Sequence, residues 1–304
     1  MRKDLLAYLA LGAICLIWGT TYLALRVAVV GFPPFLFVVI RQIIAGSILV
    51  GLMLTVGKAK LPSRAEIWKQ AIAGFFMLSM GNGLVAYGEV TIPSGIAAII
   101  CSMMPMWVIL INLTINREER PTLPIIIGAA LGFSGIILIF IQDLDALSNA
   151  AYIWGILLTL LATISWACAS IWLKKRKSTS EPFMNAGLQM FFAGVWLIPF
   201  TLVFDDLSNV TWSSNTIYAM VYLIVIGSIV AYGCYTYALK KLPMTIVSLY
   251  AYVNPLVAVV LGWLILDESL TIRIGFAFAL TVAGIYLVNR GYVLRNMFKT
   301  QLSR

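Results

Sequence analysis

The feature that most limits this chain is a succession of long apolar stretches separated by short polar gaps. A helix that crosses a bilayer needs roughly 20 mostly apolar residues. Stretches of that length occupy 5–26, 35–56, 70–89, 93–115, 123–141, 152–173, 183–204, 215–238, 243–266 and 272–290. They are too long, and alternate too little, to be the strands of a membrane barrel. Lipid offers no partner to a backbone N–H or C=O, so each stretch is expected to satisfy its own polar groups as a helix. Charged residues make up 11% of the chain, against roughly 25% in soluble domains. No soluble core could hide the apolar surface that remains. The first stretch follows Met1-Arg2-Lys3-Asp4, as in a secretory signal. It runs on to Leu25, too far for a signal's apolar region, and reads as a retained first span.

The net charge of +9 would point to nucleic acid in a soluble protein. Here it is distributed as an orientation signal, and no nucleic-acid partner is expected. Arg2 and Lys3, then Lys58, Lys60, Arg64 and Lys69, then Arg117 and Arg120, fall at the N-terminus and in alternate gaps. Lys174 to Lys177, Lys240 and Lys241, and finally Arg290, Arg295, Lys299 and Arg304 continue the series. The intervening gaps hold Asp143, Asp145, Asp205, Asp206, Asp267 and Glu268, with Arg26 and Arg273 their clear basic residues. Cytoplasmic loops carry the excess of Lys and Arg. Both termini are therefore expected in the cytoplasm, in a multi-pass protein of a cell membrane.

The second half echoes the first. Trp18 matches Trp166, Pro34 matches Pro182, and Ala45-Gly46 matches Ala193-Gly194. Val85 to Gly88 returns as Val230 to Gly233, Pro93 and Pro105 as Pro243 and Pro255, and Glu118-Glu119 as Asp267-Glu268. The order of these matches along the chain implies one duplication, with halves at 5–141 and 152–290 and a basic cytoplasmic tail at 291–304. Each half holds an odd number of spans, so the halves must cross the bilayer in opposite senses. The expected fold is an all-α integral membrane protein of ten transmembrane helices, arranged as two inverted-topology repeats. Such repeats are built for alternating access, with the solute site near the midplane between them.

Several stretches also resemble a known family. They are Ile17 to Tyr22, Arg41, Gly81-Asn82-Gly83 with Glu89, Ile92 to Ala98, Ser165-Trp166-Ala167, and Ser248 to Pro255. In order and spacing they resemble the drug/metabolite transporter superfamily, in particular exporters with two EamA domains of the YedA-like inner-membrane type. The resemblance spans both halves. It implies ten helices, cytoplasmic termini and efflux of amino acids or related metabolites or drugs.

The polar and aromatic residues inside the spans are the candidate site. Glu89 reads either as a proton-coupling or amine-contacting carboxylate, or as a solvated residue at the outer headgroup level. Arg41 has three readings: an ion pair with Glu89, a side chain that snorkels to the outer interface, or a contact to a solute carboxylate. Pro105 and Pro255 each cost a helix hydrogen bond, so both are expected to kink their spans. The kinks either shape a central cavity or are simply tolerated by packing. Trp18, Thr21, Asn82, Tyr87, Ser102, Trp166, Tyr232, Tyr250 and Asn254 are candidates to line that cavity, with helix packing and interhelical hydrogen bonds as the alternative. The many glycines suit close helix packing.

The chain has no histidine, and Cys15, Cys101, Cys168 and Cys234 lie far apart in apolar stretches without metal-ligand spacing. Glu89 has no carboxylate partner within a span. Enzyme chemistry, a metal and a cofactor are therefore not expected, and no nucleotide-binding motif suggests a direct ATP drive. The expected function is secondary transport of a small solute, with an uncoupled facilitator or channel-like permease as the alternative. One chain could form a complete pathway, and an oligomer stays open.

Overall fold

The computed structural model describes residues 2–115, 122–141, 149–176, 178, 180–208, 210–242 and 250–302. Arg117 to Arg120, Asp143, Asp145, Lys177 and 243–249 lie outside the described residues, and so do the repeat matches that fall on them. The regular secondary structure of the described residues is all helical, with no strand among them. The helices are α1 (Arg2–Val29), α2 (Pro34–Thr55), α3 (Arg64–Gly74), α4 (Met80–Gly88), α5 (Ser94–Cys101), α6 (Met104–Ile115) and α7 (Leu123–Ile141). The second half continues with α8 (Ala150–Lys175), α9 (Pro182–Phe204), α10 (Ser214–Tyr222), α11 (Ala231–Lys241), α12 (Tyr250–Leu266) and α13 (Ile272–Leu302). Wider π-helical segments, Phe75–Ser79 and Leu223–Val230, join α3 to α4 and α10 to α11. Counting each joined pair and the broken pair α5–α6 as one rod, the described residues form ten rods. Among the described residues seven helical stretches are long and apolar enough to cross a membrane, and Leu123–Gly135 and Val253–Leu266 are shorter apolar helices. This is a multi-pass membrane protein.

Local chemistry sets where the rods begin. Pro34 and Pro182 open α2 and α9, because a first-turn residue needs no intrahelical N–H partner. Ser63 and Ser213 cap α3 and α10 by accepting the N–H groups of Glu66 and Thr216. The Ser63 cap starts the third rod six residues before the apolar stretch at 70, so Glu66 also sits on a membrane helix and is buried. Two further helix starts are capped from a distance. Asp205, just past α9, accepts the N–H of Leu36 at 2.7 Å. Glu268 accepts the N–H and hydroxyl of Ser94, both at 2.8 Å, and the N–H of Gly95 at 3.2 Å. The residue before Glu268, Asp267, takes a left-handed φ of 54°, which ends α12 and turns Glu268 toward α5. At the other end of the chain α13 continues to Leu302, so the tail at 291–304 begins as an extension of the last helix.

Packing is closest between α2 and α9 and between α7 and α13. Glycines allow it. A Cβ at Gly46 would strike the backbone of Gly187 and Phe191, and one at Gly284 would strike that of Gly128 and Gly132. Helix pairs in lipid gain mainly from such close backbone approach. The first and sixth rods exchange sides: α1 packs on α11 and α12 of the second half, while α8 packs on α4, α5 and α6 of the first. Trp18 of α1 donates Nε1–H to the carbonyl of Gly227 at 3.3 Å. Ser165 of α8 donates to the carbonyl of Phe76 at 2.7 Å. Both acceptors lie in π segments, whose wider turn displaces carbonyls from the usual i to i−4 ladder.

Candidate functional site

Halfway along the rods the helices part around a cavity of about 160 Å³, walled from both halves. Trp18, Thr21 and Tyr22 come from α1, Arg41 and Gln42 from α2, and Gly81 and Asn82 from α4. Facing them are Trp166 of α8, Met190 of α9, Gly227 and Ser228 of the second π segment, Tyr232 of α11, and Tyr250, Asn254 and Pro255 of α12. Cys101, Ser102 and Met104 complete the wall from the break in the fourth rod. Trp18 and Trp166 occupy matching places in the two halves. So do Gln42 and Met190, and Met104 and Asn254, by the same offsets.

The structure thus brings Trp18, Thr21, Asn82, Ser102, Trp166, Tyr232, Tyr250, Asn254, Arg41 and Pro255 around one space. It does not bring Tyr87 there. Residues 81, 82 and 85 face the cavity, and at 3.6 residues per turn position 87 lies on the far side from 85. The Tyr87 ring instead stacks on Phe35 at 5.1 Å. Asn254 holds the cavity's floor together: with its amide oriented to satisfy both groups, the nitrogen donates to the carbonyls of Cys15 at 2.9 Å and Tyr250 at 3.0 Å.

The two prolines act differently. The fourth rod breaks at Ser102–Met103, and Pro105 falls in the first turn of α6 rather than mid-helix, where a missing N–H costs least. Pro255 lies inside continuous α12 and contributes directly to the cavity wall. The break places the hydroxyl of Ser102 at the cavity, bonded back to the carbonyl of Ile99 at 2.6 Å.

Arg41 and Glu89 do not pair. Arg41 is 8% exposed, and its Nε donates to the hydroxyl of Ser228 at 3.0 Å. The guanidinium therefore points into the protein and lines the cavity, and does not snorkel. Glu89 follows α4, is fully buried, and neither carboxylate oxygen has a hydrogen-bond partner among the described residues. The solvated reading of Glu89 fails on that burial. Its backbone carbonyl accepts from Nη1 of Arg26, so the basic residue in the last turn of α1 is tied to the end of the third rod. Glu89 itself is not part of the cavity wall.

On the side that carries Lys241, the cavity is closed by aromatic rings. Trp18 lies 5.2 Å from Tyr235 and 5.1 Å from Tyr250, centroid to centroid. Behind them runs a buried chain of hydrogen bonds. Tyr232 donates to Oε1 of Gln189 at 3.3 Å, Nε2 of Gln189 to Oε1 of Gln70 at 2.6 Å, and Nε2 of Gln70 to Oε1 of Glu66 at 2.6 Å. Ser178 donates to the same Glu66 oxygen at 2.6 Å, and Lys69 lies 2.5 Å from the other. Gln189 is the repeat match of Arg41, but it joins this chain and not the cavity wall.

Residue-by-residue reading of the sequence missed Gln42, Tyr22, Cys101, Met190 and the Glu66–Gln70 pair. Gln42 and Gln70 carried a usable signal, being amides set in helices that face lipid elsewhere. Cys101 and Met190 carried none, because an apolar side chain reads the same at a cavity wall and in a packed core. Among the described residues no cluster of metal-ligating side chains is found.

Comparison with known proteins agrees with this architecture. The EamA-like transporter family matches residues 5–141 and again residues 153–290. The chain is 31% identical over 294 residues to the uncharacterized inner membrane transporter YedA of Escherichia coli (strain K12), covering 96% of this chain and 94% of that protein. It is 25% identical over 277 residues to the uncharacterized transporter YoaV of Bacillus subtilis (strain 168), covering 90% of this chain and 94% of that one. A solved crystal structure superposes with a TM-score of 0.63 at 19% identity, over 92% of this chain and 95% of that one, which shows a shared fold. With the family matching both halves, and relatives of the same length named as transporters, the chain belongs to the EamA-like transporter family of the drug/metabolite transporter superfamily.

Proposed function

We propose that this protein is a secondary transporter that exports amino acids or related small metabolites or drugs by alternating access between two inverted five-helix repeats. The observation that carries the reading is the cavity itself. It lies midway along the rods, and residues at matching positions of the two halves, Trp18 with Trp166 and Gln42 with Met190, both line it. A solute site between repeats is what alternating access requires, since rocking one half against the other exposes the same site to each side in turn. The exchange of α1 and α8 between the halves supports the repeat reading, as does the matched pair of π segments. The halves are 5–141 and 152–290. The loop charges put both termini in the cytoplasm, and the aromatic closure at Trp18, Tyr235 and Tyr250 then lies on the cytoplasmic side.

Counterflow in liposomes tests the reading. Purified protein would be reconstituted and given a labelled panel of aromatic and small neutral amino acids, a purine and a lipophilic cation. Saturable exchange of one class is expected. Flux without counterflow would instead indicate the channel-like alternative, and no flux from folded protein would overturn the transport proposal.

A further inference from the structure

We propose that the cavity takes a solute bearing a single carboxylate on an apolar or aromatic body, and that Arg41, set against Ser228 and Gly227, is the group that holds the carboxylate. This deepens the transporter reading and rests on it. Arg41 is the one charged side chain among the described residues that line the cavity. It is 8% exposed, and among the described residues its guanidinium makes one hydrogen bond, Nε to Ser228 at 3.0 Å. A guanidinium carries five N–H donors in a planar fork, and the nearest buried carboxylate, Glu89, does not pair with it. A buried charge with no counter-charge bonded to it is costly, and an arriving anion recovers that cost. The fork geometry suits a carboxylate's two oxygens.

The surroundings narrow the solute further. Gly227 packs close to the fork: a Cβ there would lie 3.0 Å from the Thr21 methyl and 3.7 Å from Nη2 of Arg41. Three of the wall's hydroxyls are committed to their own helices. Thr21 donates to the carbonyl of Trp18 at 2.6 Å, Ser102 to that of Ile99 at 2.6 Å, and Thr163 to that of Leu160 at 2.7 Å. An anion entering the cavity therefore finds its strongest donors on Arg41. Trp18, Trp166, Tyr232 and Tyr250 offer rings to the remainder of the solute. One positive charge answers one negative charge, so dianions would leave a charge unmatched in a low-dielectric site, and a cation would be repelled.

The experiment is equilibrium binding to the purified full chain in detergent, read by tryptophan fluorescence, since Trp18 and Trp166 are in the wall. The probes are phenylalanine against phenylalaninamide and phenylpropionate against phenylpropionamide, with succinate, inorganic phosphate and tetraphenylphosphonium alongside. At least one acid is expected to bind roughly tenfold or more tighter than its amide, and tighter than succinate or phosphate. Arg41→Gln should abolish that preference, and Arg41→Lys, which keeps the charge, should retain part of it. Amides that bind as well as the acids, no binding of either acid, tighter binding of phosphate, succinate or the phosphonium, or a preference that survives Arg41→Gln would each overturn the proposal. If Arg41→Gln does not fold, the wild-type comparison and Arg41→Lys decide the matter. Acid binding without counterflow in liposomes would instead count against the carrier reading and leave the Arg41 site standing. Counterflow limited to amides or cations would do the reverse.

Discussion

A carboxyl group buried with both oxygens unpartnered loses several kcal/mol of solvation when ionised, and Glu89 is in that position. Its protonated form removes the charge, and glutamine is the closest neutral mimic. The Glu89→Gln protein is therefore expected to unfold at the same temperature as the wild type or higher, because it removes a cost and breaks no ion pair. If Glu89 couples transport to protons, lowering the pH fills the site with a proton, and the glutamine variant holds the chain in the protonated-like state at every pH. Counterflow by Glu89→Gln should then lose the pH dependence that the wild type shows. An unchanged pH profile would remove Glu89 from coupling. On the other side of the cavity, Gln189→Leu breaks both bonds that join Tyr232 to Gln70. The Gln70 oxygen loses its donor, and a buried acceptor left unsatisfied costs about 1–3 kcal/mol, so a lowered unfolding temperature is expected. A variant as stable as the wild type would show that the chain of hydrogen bonds contributes little.

Among the helices, glycine contacts decide which rods touch. Gly46, Gly187 and Gly194 let α2 and α9 interleave, and Gly128, Gly135 and Gly284 do the same for α7 and α13. Gly284→Leu forces a side chain onto the backbone of α7. Overpacking of this kind typically costs about 1–3 kcal/mol, to be read from thermal unfolding in detergent. Gly275, with open space where a Cβ would go, is the control: Gly275→Ala on the same helix should be neutral or slightly stabilising. The distant caps are a second device at this scale. Asp205→Ala and Glu268→Ala each leave helix N–H groups without an acceptor, at about 1 kcal/mol per cap. The two sites are separate in the fold, so the double variant should lose close to the sum. A double variant no worse than either single one would mean the caps act as one unit.

For the whole molecule, orientation is open to direct measurement. In a background with Cys15, Cys101, Cys168 and Cys234 replaced, a single cysteine at Ser178 should react with a membrane-impermeant maleimide only after the cytoplasmic face is opened. A cysteine at Ser208 should react from outside in intact cells. Reversed labelling would overturn the loop-charge argument, and labelling of both from one side would rule out an odd number of crossings between them. The same molecule-wide view accounts for the two tryptophans. Each belongs to a rod that has crossed to the other half, Trp18 lying against Gly227 and Trp166 against Gly81.

The all-helical, membrane-spanning character of the chain was legible in the sequence, because span length and loop charge are properties of consecutive residues. Most ends of the apolar stretches fall within a few residues of the observed helix ends, and the exceptions have local causes, such as the Ser63 cap that starts α3 early. The family was legible too, from short motifs in a fixed order. Other features depended on which rods meet. Tyr87 and Tyr232 look equivalent in the sequence, yet one stacks on Phe35 and the other lines the cavity, because their helices face different neighbours. The π segments leave no mark in the apolar pattern. They are stabilised by side chains from the opposite half, Trp18 and Ser165, which no local window contains. Arg41 and Glu89 could be recognised as intramembrane charges from sequence alone. That they stay apart, one facing the cavity and the other sealed behind its wall, is a consequence of packing between segments distant in the chain, and only the tertiary structure could decide it.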